Sequence, residues 1–469
     1  MRREPPEEGT ERPRRVEPTM PAPIAWLDDR LGMSRALRTS MRKVFPDHWS
    51  FMLGEIALYS FIVLVLTGTF LTFFFEPSLG TTVYRGPYHP LDGVSVSNAY
   101  RSVLDISFAV RAGLVMRQMH HWAAIVFIGA IVVHLCRVFF TGAFRKPREI
   151  NWLIGVTLLL LALFNGFSGY SLPDDLLSGT GLRIMYSITL SIPLAGTWIA
   201  FLLFGGEFPS HQIIERLFVL HVYVVPIVLG GLLAAHLAII WHQKHTQFAG
   251  AVPTEDNVVG SHLWPTYAMK SIGLFFLVAA VLAGLGGLVQ INPVWLYGPF
   301  EPAQVTSPAQ PDWYLGWIEG ALRLYPAWEF RTGVNVPTVF FPAVLMPGIT
   351  FTLLYLWPFL EARITNDREY HNLLDRPRDR PVRTMFGAAT LSFYVVLLLA
   401  ASNDLIARWL AVAVSTVTDV FRVLLFVVPP LVALVTYRLC VGLARSGAPH
   451  VSAVPARAIL RGKHVEPRP

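Results

Sequence analysis

The chain has 469 residues, of which 53% are hydrophobic and 15% are charged, and its mean hydropathy is +0.48. This composition excludes an ordinary soluble domain, in which about 25% of residues are charged, and it indicates an integral membrane protein. The formal charge of +7 arises in loops between apolar runs. It suits an anionic membrane surface and gives no evidence for nucleic-acid binding.

Residues 1–48 are predicted to form a cytoplasmic N-terminal tail that ends in an amphipathic segment. The first 30 residues are rich in proline, glutamate and arginine and lack an apolar core. This argues against a cleavable signal peptide and predicts disorder. The basic stretch from Arg35 to Lys43 marks the cytoplasmic side by the positive-inside rule.

Eight apolar runs are long enough to cross the hydrocarbon core of a bilayer, which needs about 20 residues of helix. The eighth run is interrupted at Arg422 and at Pro429 and Pro430. The predicted fold is an all-α membrane protein with eight transmembrane helices. The runs are 56–75, 118–136, 152–173, 217–241, 271–300, 334–360, 384–402 and 420–443.

A further uncharged run at 184–206 is predicted to form helices that lie at the membrane interface. If it crossed the membrane, the basic loops 145–148 and 242–245 would face opposite sides, against the positive-inside rule. With eight crossings, the basic loops and both termini share the cytoplasmic side. The predicted divisions after the tail are a four-helix half at 49–246, a cytoplasmic linker at 247–267, further helices at 268–443 and a basic cytoplasmic tail at 444–469.

Two of the apolar runs each contain a pair of histidines. His120 and His134 are 14 residues apart, and His221 and His236 are 15 apart, so each pair shares one face of its helix at levels about 21–23 Å apart. An ionisable side chain inside a bilayer costs several kcal/mol unless it has a partner or ligand. If the two helices face each other in a four-helix bundle, the imidazoles form two stacked sites, and two b haems would satisfy all four. Hydrogen bonding within a packed bundle is the alternative.

The two cysteines, Cys136 and Cys440, limit the redox chemistry of the chain. Neither belongs to a Cys-x-x-Cys-His motif, which excludes covalently attached c-type haem. Two cysteines inside apolar runs cannot hold an iron–sulfur cluster, which usually needs four ligands. Any such centre is predicted to reside in a partner subunit.

Glycines on two other predicted helices repeat the histidine spacing. Gly54 and Gly68 are 14 residues apart, as are Gly155 and Gly169. A flat macrocycle can approach a helix closely only where no Cβ intervenes. The register therefore predicts that these glycines make room for haem, with ordinary helix packing as the alternative.

These features resemble the cytochrome b subunit of quinol:cytochrome c oxidoreductase, the cytochrome bc complex, over roughly residues 45–440. That family has Arg-x-x-His and His-x-x-Arg on its second helix. Its fourth helix has an arginine five residues before the first histidine and a proline five residues after it. The matching residues here are Arg117, His120, His134 and Arg137, followed by Arg216, His221 and Pro226.

The resemblance implies two non-covalent b haems. His120 and His221 would hold the outer haem, and His134 with His236 the inner one. Arginines pair well with carboxylates, so the candidates for the haem propionates are Arg117, Arg137 and Arg216. Snorkelling to lipid phosphate is the alternative for these arginines.

The segment Pro311-Asp312-Trp313-Tyr314 resembles the family's Pro-Glu-Trp-Tyr, which lies at the quinol-oxidation pocket. The resemblance implies that Asp312 is the hydrogen-bond partner and proton acceptor of quinol, with Tyr314 beside it and Glu319 assisting. Pro311, Trp313 and Gly181 are expected to line the same pocket. For Gly181 a simple turn glycine is an equal alternative.

Three runs are similar to the actinobacterial branch of the family: HTQF at 245–248, GYSLPDDLLSGTG at 169–181 and QPDWY at 310–314. They imply menaquinol as donor and a bacterial plasma-membrane location among lipids. The implied partners are a Rieske iron–sulfur subunit, a dihaem cytochrome c subunit and a terminal oxidase, in a homodimeric complex.

The resemblance also implies a divided electron path. One electron from quinol would pass to the Rieske subunit, and the other would cross the b haems to a quinone near the cytoplasm, contributing to the proton motive force. The inner quinone site is expected near Lys270 and Ser271. Because serine cannot supply a proton as a carboxylic acid would, His242 or His245 are possible substitutes.

Two other classes of protein have buried histidines. A dihaem membrane anchor of a dehydrogenase would also pair them, but it has no reason to carry Pro-Asp-Trp-Tyr or four extra helices. A proton-coupled transporter usually shows internal repeats and broken helices, and the sequence shows no repeat.

Overall fold

The structure, a computed structural model, describes residues 21–208, 210–304, 310–328, 330–332, 334–446 and 463–468. Within these residues, eight helices are long and apolar enough to cross a membrane, which confirms the predicted all-α fold with eight spans. The spans are Trp49–Thr72, Gly113–Phe140, Glu149–Tyr170, Ile213–Gln243, Leu263–Leu288, Phe341–Thr365, Pro381–Ala400 and Val414–Arg445.

The described α-helices, in chain order, are α1 Ala22–Leu31, α2 Met33–Met41, α3 Leu53–Thr72, α4 Asn98–Phe108, α5 Gly113–Phe140, α6 Glu149–Tyr170, α7 Leu176–Leu190, α8 Gly196–Phe204, α9 Ile213–Val219, α10 Val225–Gln243, α11 Ala268–Leu288, α12 Val294–Tyr297, α13 Trp313–Leu324, α14 Met346–Thr365, α15 Pro381–Ala400, α16 Asn403–Leu410 and α17 Val414–Arg445. The described strands are β1 Val44–Phe45, β2 Thr81–Val83, β3 Ser95–Ser97, β4 Gln247–Phe248, β5 Asn257–His262, β6 Phe330–Thr332, β7 Val334–Val336, β8 Leu373–Leu374 and β9 His464–Pro467.

The bounds of the spans differ from those of the predicted apolar runs, and in two cases the backbone shows why. The fifth span ends at Leu288 because Val289 is extended and Asn292 has a positive φ of 48°, a conformation that does not continue a helix. The sixth span begins at Phe341 rather than at 334 because β7 pairs with β6 as a hairpin.

The residues that interrupt the eighth apolar run do not interrupt its helix, and the eighth span is confirmed. Helix α17 runs unbroken past Pro429 and Pro430. The guanidinium of Arg422 is satisfied locally, since it donates to the Leu324 carbonyl and to the Asp419 carboxylate, each at 2.9 Å. A charged side chain inside an apolar run is therefore compatible with a continuous helix here.

The run 184–206 is divided between α7 and α8. A turn that contains Pro193 and the positive-φ residue Leu194 separates them. At about 1.5 Å per residue neither helix can cross a core of about 30 Å. The prediction that this run does not span is consistent with the structure, and its location at the interface stays a prediction.

The N-terminal prediction needs a correction. Residues 22–31 form α1 and not a disordered segment, and α2 follows directly. Ile24, Trp26 and Leu31 expose more than half of their surface, so packing does not explain this helix; it has a proline in its first turn and ends at Gly32 in the left-handed conformation, which are local start and stop signals. Residues 1–20, which carry the rest of that prediction, lie outside the described residues.

The packing of the first half places its helices around a common interior. Helix α3 packs against α5, α10 packs against α6, and α11 packs against both α3 and α5. In the second half, α15 packs between α13 and α17. A cluster of Ile128, Ala162 and Tyr314 joins α5, α6 and α13, so the start of α13 lies directly against the helix that carries His120 and His134.

A three-stranded sheet joins three distant parts of the chain in the order β1-β5-β9. Val44 pairs with His262, and Val259 pairs with Val465. The predicted linker at 247–267 therefore holds both the N-terminal segment and the end of the C-terminal tail. Residues 447–462 and 469 of that tail lie outside the described residues.

Candidate functional site

Two cavities are stacked inside the group formed by α3, α5, α6 and the α9–α10 span. The first cavity, of about 410 Å³, is lined by His120 and His221. The second cavity, of about 430 Å³, is lined by His134 and His236. The two share three lining side chains, Phe61, Phe127 and Leu229, which therefore lie between them. The structure thus brings together the histidine pairs that the spacing predicts.

The two histidines of the first cavity are held in defined tautomers. The Nδ1 of His221 lies 2.9 Å from the carbonyl oxygen of Asn165, so this nitrogen must donate. The Nδ1 of His120 lies 2.9 Å from Oγ1 of Thr67, whose own hydroxyl donates to the Val63 carbonyl. Both Nδ1 atoms therefore carry hydrogen, and each Nε2 keeps the lone pair of a metal ligand.

The separation of these two rings suits a shared ligand. Their centroids lie 6.2 Å apart, with ring planes inclined by 76°. Nitrogen–metal distances for imidazole are about 2 Å, so one metal ion fits between two rings at this separation. His221 lies in a π-helical turn, Leu220–Val224, just before Pro226, whose ring lacks an N–H group. Such turns occur frequently at functional sites.

The histidines of the second cavity have no protein partner at Nδ1. The Nδ1 atoms of His134 and His236 are buried and accept or donate no hydrogen bond within the described residues. Buried polar atoms are normally satisfied. These two Nδ1 atoms are shielded from the cavity as well as from solvent, so it is the position of both rings in the cavity lining, and not their Nδ1 atoms, that suits a shared ligand.

Each of the four glycines lies against the histidine expected at its level. A Cβ on Gly169 would lie 2.3 Å from Cε1 of His221, one on Gly68 would lie 3.1 Å from Cε1 of His120, and one on Gly54 would lie 3.3 Å from Cε1 of His134. At Gly155 the corresponding distance to Cε1 of His236 is an ordinary 3.8 Å. Among protein atoms the imidazoles are the nearest groups, and all four glycines also line the cavities, so they leave space for the histidine rings and for a group bound beside them.

Buried arginines lie at both cavities. Arg117 lines the first cavity and Arg137 the second. In each guanidinium, Nε and Nη2 are buried without a partner in the described residues. An unpaired buried cation is costly, so both positions suit an anionic ligand group.

The structure does not bring Arg216 to either cavity. Its guanidinium donates to the carbonyl oxygens of Phe201 and Leu202, at 3.2 and 2.5 Å, and to the side chain of Gln212 at 2.7 Å. It therefore satisfies carbonyls at the C-terminal end of α8. Nothing in this geometry supports the predicted role of Arg216 toward a propionate.

Asp312 is bound by two side chains beside the first cavity. Its Oδ1 lies 2.9 Å from Nε2 of His121, and its Oδ2 accepts the hydroxyl of Tyr314 at 2.9 Å. Asp312 and His121 are both mostly buried, each with 15% of its side-chain surface exposed. The sequence reasoning missed His121, although its position directly after His120 in an apolar run was a usable signal.

A third, small cavity of about 70 Å³ lies next to this carboxylate. Gly181, Pro311 and Glu319 line it together, and Tyr170 lines both it and the first cavity. Glu319 accepts Nε of Arg323 at 2.8 Å. Trp313 lines neither of these cavities, so the structure gathers all of the expected pocket residues except this one.

The acidic turn before α7 positions Gly181. Asp175 is fully buried, and its Oδ1 accepts the backbone N–H groups of Leu177 and Ser178 at 2.8 and 3.0 Å. Burial raises the pKa of Asp175 to about 6, although these hydrogen bonds act in the opposite direction. The N-cap fixes where α7 begins and so where Gly181 meets the third cavity.

A polar cluster lies in the second cavity, at the level of the expected inner quinone site. Ser271 lines this cavity together with Glu55, Tyr59, Tyr267 and His245. Lys270 instead forms an ion pair with Asp47 at 2.9 Å, and His242 is exposed. Sequence reasoning missed Glu55, which was detectable as the one carboxylate of the first span.

His245 is poorly suited to supply a proton there. Burial lowers its pKa to about 3, and the nearby positive charges of Arg137, Arg148, Lys43 and Arg468 act in the same direction. The imidazole is therefore neutral near pH 7, and a neutral ring does not act as a proton donor to quinone at this pH.

Comparison with known proteins gives consistent matches. A family model described as "Cytochrome b(N-terminal)/b6/petB" matches residues 125–299. The chain is 53% identical over 422 residues to the cytochrome bc1 complex cytochrome b subunit of Mycobacterium bovis, covering 90% of this chain and 77% of that protein. The subunits of Corynebacterium efficiens and Streptomyces coelicolor are 51% and 50% identical, covering 90% of this chain and 78% and 77% of their own lengths.

The fold also matches a solved structure. A chain of "Hyperthermophilic respiratory Complex III" aligns with a TM-score of 0.62 at 19% sequence identity, covering 88% of this chain and 99% of that one. At this level of identity the match supports the fold alone.

Proposed function

The chain belongs to the family of cytochrome b subunits of the cytochrome bc1 complex, the quinol:cytochrome c oxidoreductase, and we propose that its two cavities each hold one b haem between a quinol-oxidising and a quinone-reducing site. The family uses haem b, is integral to the bacterial plasma membrane and works with partner subunits. The family assignment also leaves the dehydrogenase anchor and the transporter without support.

The residues of both cavities would hold a b haem through two imidazoles. In the first cavity, His120 and His221 keep Nε2 free for iron, and Arg117 has two unpartnered donors for a propionate. In the second cavity, His134 and His236 supply two imidazoles without fixed Nδ1 partners, and Arg137 has two unpartnered donors. A bound b haem would accept and pass on one electron at a time. The stacking of two such cavities is the observation that carries the proposal.

Asp312 is proposed to accept a proton from a quinol that binds beside the first cavity. Its two carboxylate oxygens are oriented by His121 and Tyr314, so the side chain is held in place before substrate binds, which favours general base catalysis. The adjoining third cavity is lined by Glu319, a second carboxylate held by Arg323. A substrate with two hydroxyl groups can thus bind near two oriented carboxylates, each of which can accept a proton.

The finer features of the reaction are proposed on the family resemblance. The donor is menaquinol, one electron goes to a Rieske subunit and the other crosses to a quinone on the cytoplasmic side, and the charge movement contributes to the proton motive force. A dihaem cytochrome c, a homodimeric assembly and a terminal oxidase complete the proposal.

Purified complex should contain two low-spin b haems per chain and reduce cytochrome c with menaquinol. A single haem per chain would contradict the two-cavity proposal.

Replacing Gly169 with alanine is expected to remove the haem of the first cavity. The added Cβ would lie 2.3 Å from Cε1 of His221 and 2.8 Å from its Nε2, so the ring must move. The expected haem content falls from two to one per chain, measured by the pyridine haemochrome assay. Gly231→Ala, on the same span as His221, is the matched control, because its added Cβ would meet nothing within 4 Å. Equal haem loss in both variants would contradict this explanation.

A further inference from the structure

One carboxylate lies inside the first span without a cationic partner. Glu55 is in the first turn of α3 and is partly buried. Within the described residues, no lysine, arginine or histidine forms an ion pair with it. The start of a helix tolerates an acidic residue, but an intramembrane carboxylate is nevertheless costly and generally marks function.

Three hydroxyl groups surround the Glu55 carboxylate. Ser271 donates to Oε2 at 2.8 Å and Tyr59 donates to the same oxygen at 3.3 Å. Tyr267 donates to Oε1. The Tyr59 and Ser271 hydroxyls also lie within hydrogen-bonding distance of each other, so at any moment one of the two can donate to its neighbour instead of to Glu55. Since hydroxyls can reorient, this set can stabilise either the carboxylate or the acid.

The whole cluster opens into the second cavity. Glu55, Tyr59, Tyr267 and Ser271 all line it, together with His134 and His236. Next to Ser271 on α11, Lys270 is half exposed and pairs with Asp47 at 2.9 Å. The carboxyl group thus lies between a ligand cavity and groups that reach the surface.

We propose that Glu55 is the acid that protonates quinone at a reduction site at the Glu55 end of the second cavity, beside the position of the haem. This inference rests on the proposed function. Each quinone that becomes quinol gains two electrons, which come from quinol oxidation, and two protons. Glu55 gives one proton to a carbonyl oxygen, which becomes a hydroxyl group, and the remaining carboxylate is held by Ser271, Tyr59 and Tyr267. It regains its proton from the cytoplasmic water, which also supplies the second proton.

This assignment explains how the site works with serine at 271. The hydroxyl of Ser271 has no acidic proton near neutral pH, but it holds a carboxyl group that α3 supplies from across the helix contact. The acid that Ser271 cannot provide is therefore supplied by Glu55, which is distant in sequence but adjacent in space. Ser271 is a positioning residue and Glu55 is the catalytic one.

The test uses the purified complex with its b haems reduced beforehand and measures their reoxidation by menadione, a naphthoquinone without a tail. Glu55→Gln is expected to slow this step about 100-fold, the usual lower size of a general-acid effect, while haem content stays at two per chain. Each measurement is repeated with Asp312→Asn present, so that any reaction at the quinol-oxidising site can be subtracted. Glu149→Gln, which removes a carboxylate that lines a different cavity, should leave the rate unchanged.

A second readout does not depend on turnover. The infrared difference spectrum between quinone-bound and quinol-bound complex should contain a carboxyl band that Glu55→Gln removes and Glu149→Gln keeps. Glu55→Asp should restore part of the rate. Ser271→Ala and Tyr267→Phe should each slow reoxidation several-fold with the carboxyl band shifted but present.

The outcomes separate the two proposals. Unchanged reoxidation and an unchanged carboxyl band in Glu55→Gln would overturn the role of Glu55 and leave the two-haem proposal intact. If Glu55→Gln does not fold, unchanged rates in Ser271→Ala and Tyr267→Phe would overturn it equally. Absence of b haem from the unsubstituted complex would instead contradict the proposed function.

Discussion

Replacing His221 with leucine is expected to remove one b haem from each chain and to leave the other in place. The first cavity would keep only His120, whereas the second cavity and its two histidines would be unchanged, because Phe61, Phe127 and Leu229 lie between the cavities. Haem content should fall from two to one per chain. Electron transfer from quinol to the cytoplasmic quinone should stop, since the path across the membrane is broken.

The matching variant, His236→Leu, is expected to remove the other haem. The two variants should therefore retain different single haems, which a redox titration resolves as two different midpoint potentials. His121→Gln is the control, because His121 directly follows His120 in the sequence. His121 contacts Asp312 and is not part of a facing histidine pair, so this variant should keep both haems.

These measurements also test which histidines are paired at each haem. If His221→Leu and His236→Leu retained the same haem, the ligands would not be paired as the structure pairs them. If His121→Gln lost a haem while His120→Leu kept both, the wrong member of the double histidine would have been assigned to iron.

The sequence predicted those features that repeat along the chain. The apolar runs predicted eight spans, and the 14- and 15-residue spacings predicted that histidines meet in two layers. Periodicity is visible in one sequence because each helix imposes its own repeat. The ends of the spans were less well predicted, because a positive φ at Asn292 and the hairpin of β6 with β7 decide where the fifth and sixth helices end and begin.

Contacts between distant segments were not predictable in the same way. Arg216 looked like a haem-propionate ligand by its distance from His221, but α8 presents carbonyl groups that its guanidinium satisfies. His121 and Asp312 are 191 residues apart in sequence, and Glu55 and Ser271 are 216 apart. A single sequence carries no signal for such pairs beyond the presence of a polar residue in an apolar run.

Asp312→Asn is expected to lower quinol:cytochrome c reductase activity by about 100-fold or more, the usual size of a general-base effect, with both haems retained. Asparagine has nearly the shape of aspartate, and its amide oxygen can still accept the Tyr314 hydroxyl, but it cannot take a proton. The loss should therefore appear in the maximal rate at saturating menaquinol more than in the apparent affinity. Steady-state cytochrome c reduction measures both.

Two further variants distinguish proton acceptance from simple positioning. Asp312→Glu restores a carboxylate one methylene longer, the acid of the related Pro-Glu-Trp-Tyr segment, and should recover much of the rate. Tyr314→Phe removes the hydroxyl that holds Oδ2 and should cause a smaller fall, because the carboxylate remains and His121 still orients Oδ1. Near-normal activity in Asp312→Asn would mean that another group accepts the proton. Glu319 would then be the first to examine, since it is a second carboxylate lining the adjoining cavity.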